Sequence, residues 1–206
     1  MKISELSELS GVPVATVKFY IREGMLPRGE VLSATRAEYG EEHLGRLRLI
    51  AALTDVRGLP LARVREVLAL IDAPLDDPME TLGLAVGALP PYVDGGQDDY
   101  PRAREAIAEL GLTYDADFTA VAQLDEALRA LDAAGLDASP AALDRYGAAM
   151  RQVAAQEVAP MAEMSPAEAV TYAVLGTAMY EPVMLALRRL AHHHLLVERS
   201  AHDPGR

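Results

Sequence analysis

The stretch Val14-Ala-Thr-Val-Lys-Phe-Tyr-Ile-Arg-Glu-Gly-Met-Leu-Pro27 sets Lys18, Phe19, Tyr20 and Arg22 within five positions of one another. Two adjacent aromatics stand between bases in a chain of 206 residues with eight Tyr, two Phe and no Trp. Val14, Val17 and Ile21 recur at helical spacing, and Gly24 is a natural helix stop. Thr16, Lys18, Tyr20 and Arg22 point away from that apolar face. Aromatics interleaved with bases suit a core, a nucleic-acid surface or both, and the neighbouring segments decide between them.

Upstream, Ile3, Leu6 and Leu9 share one helical face, with Ser4 placed to act as the N-cap. Gly11-Val12-Pro13 makes a tight turn, so the two helices read as a helix-turn-helix. Downstream, Pro27 to Tyr39 reads as a short β-hairpin or loop. A helix is expected over 41–56, broken at Arg57-Gly58-Leu59-Pro60, and another over 61–71. Residues 72–78, with two prolines and three acids, look like a linker.

The remainder reads as helices. A short one over 79–89 stops at Pro90-Pro91, and an acidic loop surrounds Gly95-Gly96. Pro101 opens a helix closed by Gly111. Others cover about 119–134 and start at Ser139-Pro140. Ser165-Pro166-Ala167-Glu168 forms a capping box for a last helix running toward Val197, with a kink expected at Pro182. The fold class expected is mainly α: a winged helix-turn-helix head with a small β-hairpin wing, then an all-helical C-terminal domain. The expected boundaries are 1–71 for the head, 72–100 for a linker with a short helix, and 101–206 for the C-terminal domain.

Charge divides the same way. The net charge is −12, yet residues 1–71 hold 10 Lys+Arg and 9 Asp+Glu, which leaves 9 basic and 22 acidic residues for 72–206. A near-neutral head binds phosphates if its bases share a face, whereas the acidic remainder stays off nucleic acid. The chain has no cysteine, which excludes disulfides and thiolate metal sites. His192-His193-His194 splay by about 100° each around a helix, so they do not converge on one ion, and no metal is expected. The N-terminus has no apolar signal-peptide core, and a cytoplasmic protein is expected. Ala169 to Leu187 is long and apolar enough for a membrane span. Its Glu181 beside Pro182, and the lack of other such segments, favour a core or dimer helix instead. There is no Gly-rich phosphate loop, nucleophile elbow or metal-spaced His/Glu set, so neither enzyme nor cofactor is expected.

Several of these segments recur together in one family. Ile3-Ser4-Glu5-Leu6, Gly11-Val12, Thr16-Val17-Lys18-Phe19-Tyr20, Gly24-Met25-Leu26-Pro27, Tyr39 with Glu41-Glu42-His43-Leu44, and Leu47-Arg48-Leu49-Ile50 give the first 71 residues the pattern of the MerR family of transcription regulators. The chain resembles that family over about a third of its length. The resemblance implies a winged helix-turn-helix, a homodimer, and sequence-specific binding to double-stranded promoter DNA that is distorted to let RNA polymerase act. It implies DNA contacts from Ser4, Thr16, Lys18, Tyr20, Arg22, Arg28, Arg36 and Tyr39. Thr16 and Lys18 reach bases or phosphates, while Tyr20 and Arg22 suit the flanking backbone. Two positions depart from the family pattern. Ala15 stands where members commonly carry Arg, and Thr35-Arg36-Ala37-Glu38-Tyr39 moves the wing arginine one position early.

Family members commonly follow the head with one long dimerising helix, but the equivalent here is short, so the C-terminal domain, its last helix included, is expected to supply the dimer contact. For a signal, the aromatic and methionine residues beyond the head point to an organic small molecule. Tyr146, Met150, Tyr172, Met179 and Tyr180 are the candidate ligand-binding residues, with Glu157 and Glu181 placed to pair with a cation. The competing expectation is a ligand-independent regulator whose acidic helical domain binds a protein partner.

Overall fold

The computed structural model describes residues 1–33, 36–93, 97 and 99–202, the side chains of Ser33, Arg36 and Ala201 excepted. Thr35, the side chain of Arg36 and the expected acidic loop at Gly95-Gly96 therefore lie outside the described residues. The fold is mainly α. In chain order it comprises α1 (Ile3–Ser10), α2 (Val14–Arg22), β1 (Glu30–Ser33), β2 (Arg36–Glu38), α3 (Glu41–Ala51), α4 (Leu61–Asp72), α5 (Pro78–Gly87), α6 (Pro101–Glu109), α7 (Thr119–Ala133), α8 (Pro140–Val158) and α9 (Pro166–His202). A π-helical turn, Ala52–Val56, extends α3, and a 3-10 turn, Ala159–Glu163, follows α8. The chain groups into two compact units, Met1–Gly58 with Leu175–Arg206, and Leu59–Val174.

In the first unit, α1 packs on α2 and on α3. Leu6, Val17, Leu47, Ile50 and Leu53 are fully buried. The start of α1 differs from the sequence expectation. Lys2, in extended backbone, is the N-cap, and its amide donates to Glu5 Oε2 at 3.4 Å. Ser4 lies inside the first turn, exposed, because the apolar register that buries Leu6 begins the helix at Ile3. The wing is a two-stranded antiparallel hairpin pairing Glu30 with Glu38 and Val31 with Ala37, with a register shift between Val31 and Ser33. The N-terminus ties to its base: the Met1 ammonium donates to the Tyr39 carbonyl at 2.7 Å, and the Tyr39 amide donates back to Met1 at 2.9 Å.

In the second unit, α6 packs on α7 and α8, and α5 packs on α4 and α7. The helix starts follow local capping chemistry. Asp77 Oδ1 accepts from the Met79 amide at 2.8 Å, and Ser139 Oγ from the Ala142 amide at 3.4 Å. At the expected capping box, the Ser165 amide donates to Glu168 Oε2 at 2.9 Å and the Glu168 amide donates to Ser165 Oγ. That interaction, led by the Ser165 hydroxyl, holds the Glu168 carboxyl below its usual range.

The core of this unit gathers Tyr100, Ala103, Ile107, Val121 and Ala122. Asp125 is buried at 3 % exposure among them, and its Oδ1 accepts from the Ala103 amide at 3.1 Å. An acid on α7 thus caps the first turn of α6, where unpaired amides and the helix dipole favour negative charge. Arg129, one turn along α7, meets the other carboxylate oxygen at 2.9 Å. Removing a buried acceptor strands its donor, which costs about 1–3 kcal/mol. Asp125→Ala is therefore expected to lower unfolding stability by that amount in urea titration, and Asp125→Asn, which keeps an acceptor, to lose less. Equal stability in all three proteins contradicts the cap.

Candidate nucleic-acid interface

Helix α2 presents two distinct faces. Val17 is fully buried and Tyr20 is 9 % exposed, while Ala15, Lys18 and Arg22 are exposed and Thr16, Phe19 and Ile21 are half-buried. Positions 17 and 20 are three apart, so they share the inward face. The sequence reading set Tyr20 outward with Lys18 and Arg22. The structure turns it inward, where burial and the nearby negative charge of Asp55 raise its phenol above its ordinary value. Phe19 lies at the boundary, its ring 5.7 Å from that of Tyr20 and 5.4 Å from the Arg22 guanidinium. Arg22 thus rests its cation on an aromatic face while its charge stays in water.

The end of α2 explains Gly-Met-Leu-Pro. Gly24 takes φ +72°, a left-handed conformation that costs side chains other than glycine dearly. The Met25 and Leu26 amides then fold back onto the Tyr20 carbonyl at 2.9 and 3.2 Å, and both side chains are 1 % exposed. From α3, Arg46 Nε donates to the Met25 carbonyl at 3.0 Å. The turn is pinned by two apolar side chains and one arginine, which fixes where α2 ends and where the wing begins.

The remaining predicted contacts fall in three settings. Ser4 and Arg28 are exposed, as are the wing residues Val31 and Leu32. Tyr39 is buried at 8 %, its ring set edge-on to the imidazole of His43 with centroids 5.1 Å apart. Its backbone also holds the N-terminus, so its side chain supports the base of the wing. The Arg36 side chain lies outside the described residues. Of the predicted contacts, Ser4, Lys18, Arg22 and Arg28 are thus exposed and Thr16 is half-buried among the described residues.

Arg57 and Glu181 form a second feature that no sequence pattern indicated. Arg57 ends the π-turn, and its guanidinium donates to Glu181 Oε2 on α9 at 2.5 Å, with 11 % and 34 % side-chain exposure. Burial raises the Glu181 carboxyl and Arg57 opposes that rise. The carboxylate expected to meet a cationic ligand therefore already holds an arginine. The five candidate ligand residues do not gather in one unit. Tyr146, Met150 and Tyr172 belong to 59–174, the first two about half exposed, whereas Met179 and Tyr180 belong to the other unit and are 40 % and 55 % exposed. Several other aromatics serve structure instead. The Tyr100 amide donates to the Tyr114 hydroxyl, which donates to Asp99 at 3.0 Å, and Arg104 stacks on the Tyr114 ring at 4.3 Å.

Comparisons with known proteins agree with this geometry. Residues 1–71 match the profile of the MerR HTH family regulatory proteins. The HTH-type transcriptional regulator ZntR homolog of Haemophilus influenzae (strain KW20 / Rd) is 32 % identical over 73 residues, 35 % of this chain and 53 % of that protein, so the chain spans about half the length of that curated relative. SCO5550 of Streptomyces coelicolor A3(2), classed as a transcriptional regulator and solved by crystallography, is 30 % identical with a TM-score of 0.72. The match covers 98 % of this chain and 97 % of that one.

The two faces of α2 predict opposite responses to truncation. Tyr20→Ala empties a buried site and is expected to cost about 3 kcal/mol of unfolding stability. Lys18→Ala is expected to stay within about 0.5 kcal/mol of the parent. Thermal or urea unfolding of both variants checks this, and similar stability of the two contradicts the inward placement of Tyr20.

Proposed function

This chain belongs to the MerR family of helix-turn-helix transcriptional regulators, and from that premise we propose that it binds a palindrome-like promoter as a homodimer and distorts the DNA there to control transcription by RNA polymerase. The observation that carries the proposal is the two-faced α2. Buried Val17 and Tyr20 hold the helix against its domain, and Lys18 and Arg22 stand on its exposed side. Helices of this kind enter the major groove with their N-terminal residues toward base edges. Thr16 and Lys18 are then nearest the bases, Arg22 reaches the flanking phosphates, and Arg28 at the start of the wing clamps the backbone beside them. Ala15 offers no hydrogen bond, so base choice at that point rests on shape and on the other contacts. Distortion makes the deformability of the untouched centre part of the specificity. In this reading residues 1–71 are the DNA-binding domain, and the cytoplasm is where the protein works.

For the signal we propose an organic small molecule acting on the helices beyond the head, since a cysteine-free chain offers no thiolate site for a metal. The exposure of Tyr146, Met150, Met179 and Tyr180 favours a second reading, in which those helices meet a protein partner and the regulator needs no ligand. A protein interface uses exposed aromatics and methionines, whereas a small-molecule site encloses them.

Each phosphate neutralised by a lysine releases condensed counterions and adds about 0.9 to the salt slope of binding. Lys18→Ala is therefore expected to weaken binding to the protein's own promoter fragment and, if Lys18 holds a phosphate, to lower that slope by about one. Fluorescence anisotropy across a salt series measures both. Unchanged affinity and slope contradict the assignment of α2 as the recognition helix.

A further inference from the structure

The helix expected over 41–56 does not keep one winding to its end. Over Ala52–Val56 it widens into a π-turn, and the Arg57 amide closes that turn by donating five residues back, to the Ala52 carbonyl at 3.2 Å. Turns of this kind are rare and frequently mark functional sites. Leu53 is fully buried and roots the turn in the core, and the Thr54 hydroxyl donates to the Ile50 carbonyl at 2.9 Å. Gly58, at φ +67°, then breaks the chain away.

The turn is tied on two sides. Asp55 stands close enough to Tyr20 for its charge to act on the phenol, and the Tyr20 carbonyl in turn receives the Met25 and Leu26 amides. On the other side, the Arg57 guanidinium donates to Glu181 Oε2 on α9 at 2.5 Å. The Arg57 side chain is 11 % exposed, and a guanidinium in that setting is held to its carboxylate by the cost of a lone buried charge. One residue therefore closes the π-turn with its backbone and grips α9 with its side chain. Rewinding the turn to α-helical bonding moves the Arg57 amide from the Ala52 carbonyl to that of Leu53. That change rotates Arg57 about the helix axis and draws its side chain off Glu181.

We propose that Arg57 and Glu181 are positioning residues for DNA reading: their ion pair holds the end of α3 in the π register, which keeps Asp55 beside Tyr20 and α2 at one rotation. The proposal rests on α2 as the recognition helix of the proposed function. Neither side chain needs to reach the duplex. With the ion pair broken, the turn is free to rewind and Asp55 leaves Tyr20. Tyr20 and Val17 set the rotation of nine-residue α2, so a shift there displaces Thr16 and Lys18. An ion pair that only fastened α9 to the head would lower stability and leave the choice between DNA sequences untouched. A positioning pair lowers that choice in a folded protein.

The test compares two duplexes by fluorescence anisotropy with the full chain: one that the parent has selected from genomic DNA, and a scrambled one of equal length. Circular dichroism is the folding control. Glu181→Gln and Arg57→Gln are each expected to weaken binding to the selected duplex about tenfold, the scale of one misread base pair. Binding to the scrambled duplex is expected to stay within about twofold, because the phosphate-facing bases remain. Hydrogen exchange of the Met25 and Leu26 amides is expected to quicken in both variants. Should neither fold, Arg57→Lys keeps the charge without the planar fork and takes their place, with a smaller loss of the same kind. Parent-level discrimination in the folded variants overturns the inference and leaves α2 as the recognition helix. Equal weakening on both duplexes also overturns it, and a parent that does not discriminate overturns the proposed function itself.

Discussion

Burial of Val17 and Tyr20 is the constraint on which the functional surface depends. Helix α2 has nine residues, too few to hold itself, so its rotation about its own axis is set by what it buries. With those two side chains inside, Lys18 and Arg22 have one place to go. The same burial sets the exit of the chain. The Tyr20 carbonyl receives the returning amides of Met25 and Leu26, and Arg46 fixes the carbonyl of Met25. Helix α2, turn and wing are therefore one mechanical piece, and an error in Tyr20 packing propagates to all three.

The second organising interaction joins residues 124 positions apart in sequence. Arg57 is nearly buried and Glu181 partly so, and an arginine in that setting needs its carboxylate. The pair lies within the compact unit that joins Met1–Gly58 to Leu175–Arg206. The acidic excess lies beyond residue 71, with 22 acidic against 9 basic residues, and a surface of that sign repels phosphates.

Much of the fold was legible from local chemistry. Periodicity and caps located the helices because those signals lie within a few residues of one another: Ser139 starts its helix as expected, and the Ser165–Glu168 box is in place. The MerR resemblance lay in linked short segments of residues 1–71, and the helix-turn-helix and wing follow it. What escaped depends on contacts between distant residues. Tyr20 was read as outward because an amphipathic aromatic beside two bases fits either face, and only the packing of α1 and α3 decides. Ser4 was read as a cap because it is a good one, whereas the burial of Leu6 starts the helix two residues earlier, with Lys2 as the cap. Asp125 capping α6 from α7, and Arg57 meeting Glu181, have no local signature. The ligand residues were chosen by composition, which carries no information about which of them share a unit.

The central claim is that the exposed side of α2 reads DNA in two symmetric copies. Its most direct test is a hydroxyl-radical footprint of the full chain on a promoter fragment that it has itself selected from genomic DNA. The account predicts two protected half-sites, related by a twofold axis and lying on one face of the duplex, with altered reactivity at the unprotected centre where the DNA is distorted. A single unrepeated footprint, or uniform protection without half-sites, would contradict it.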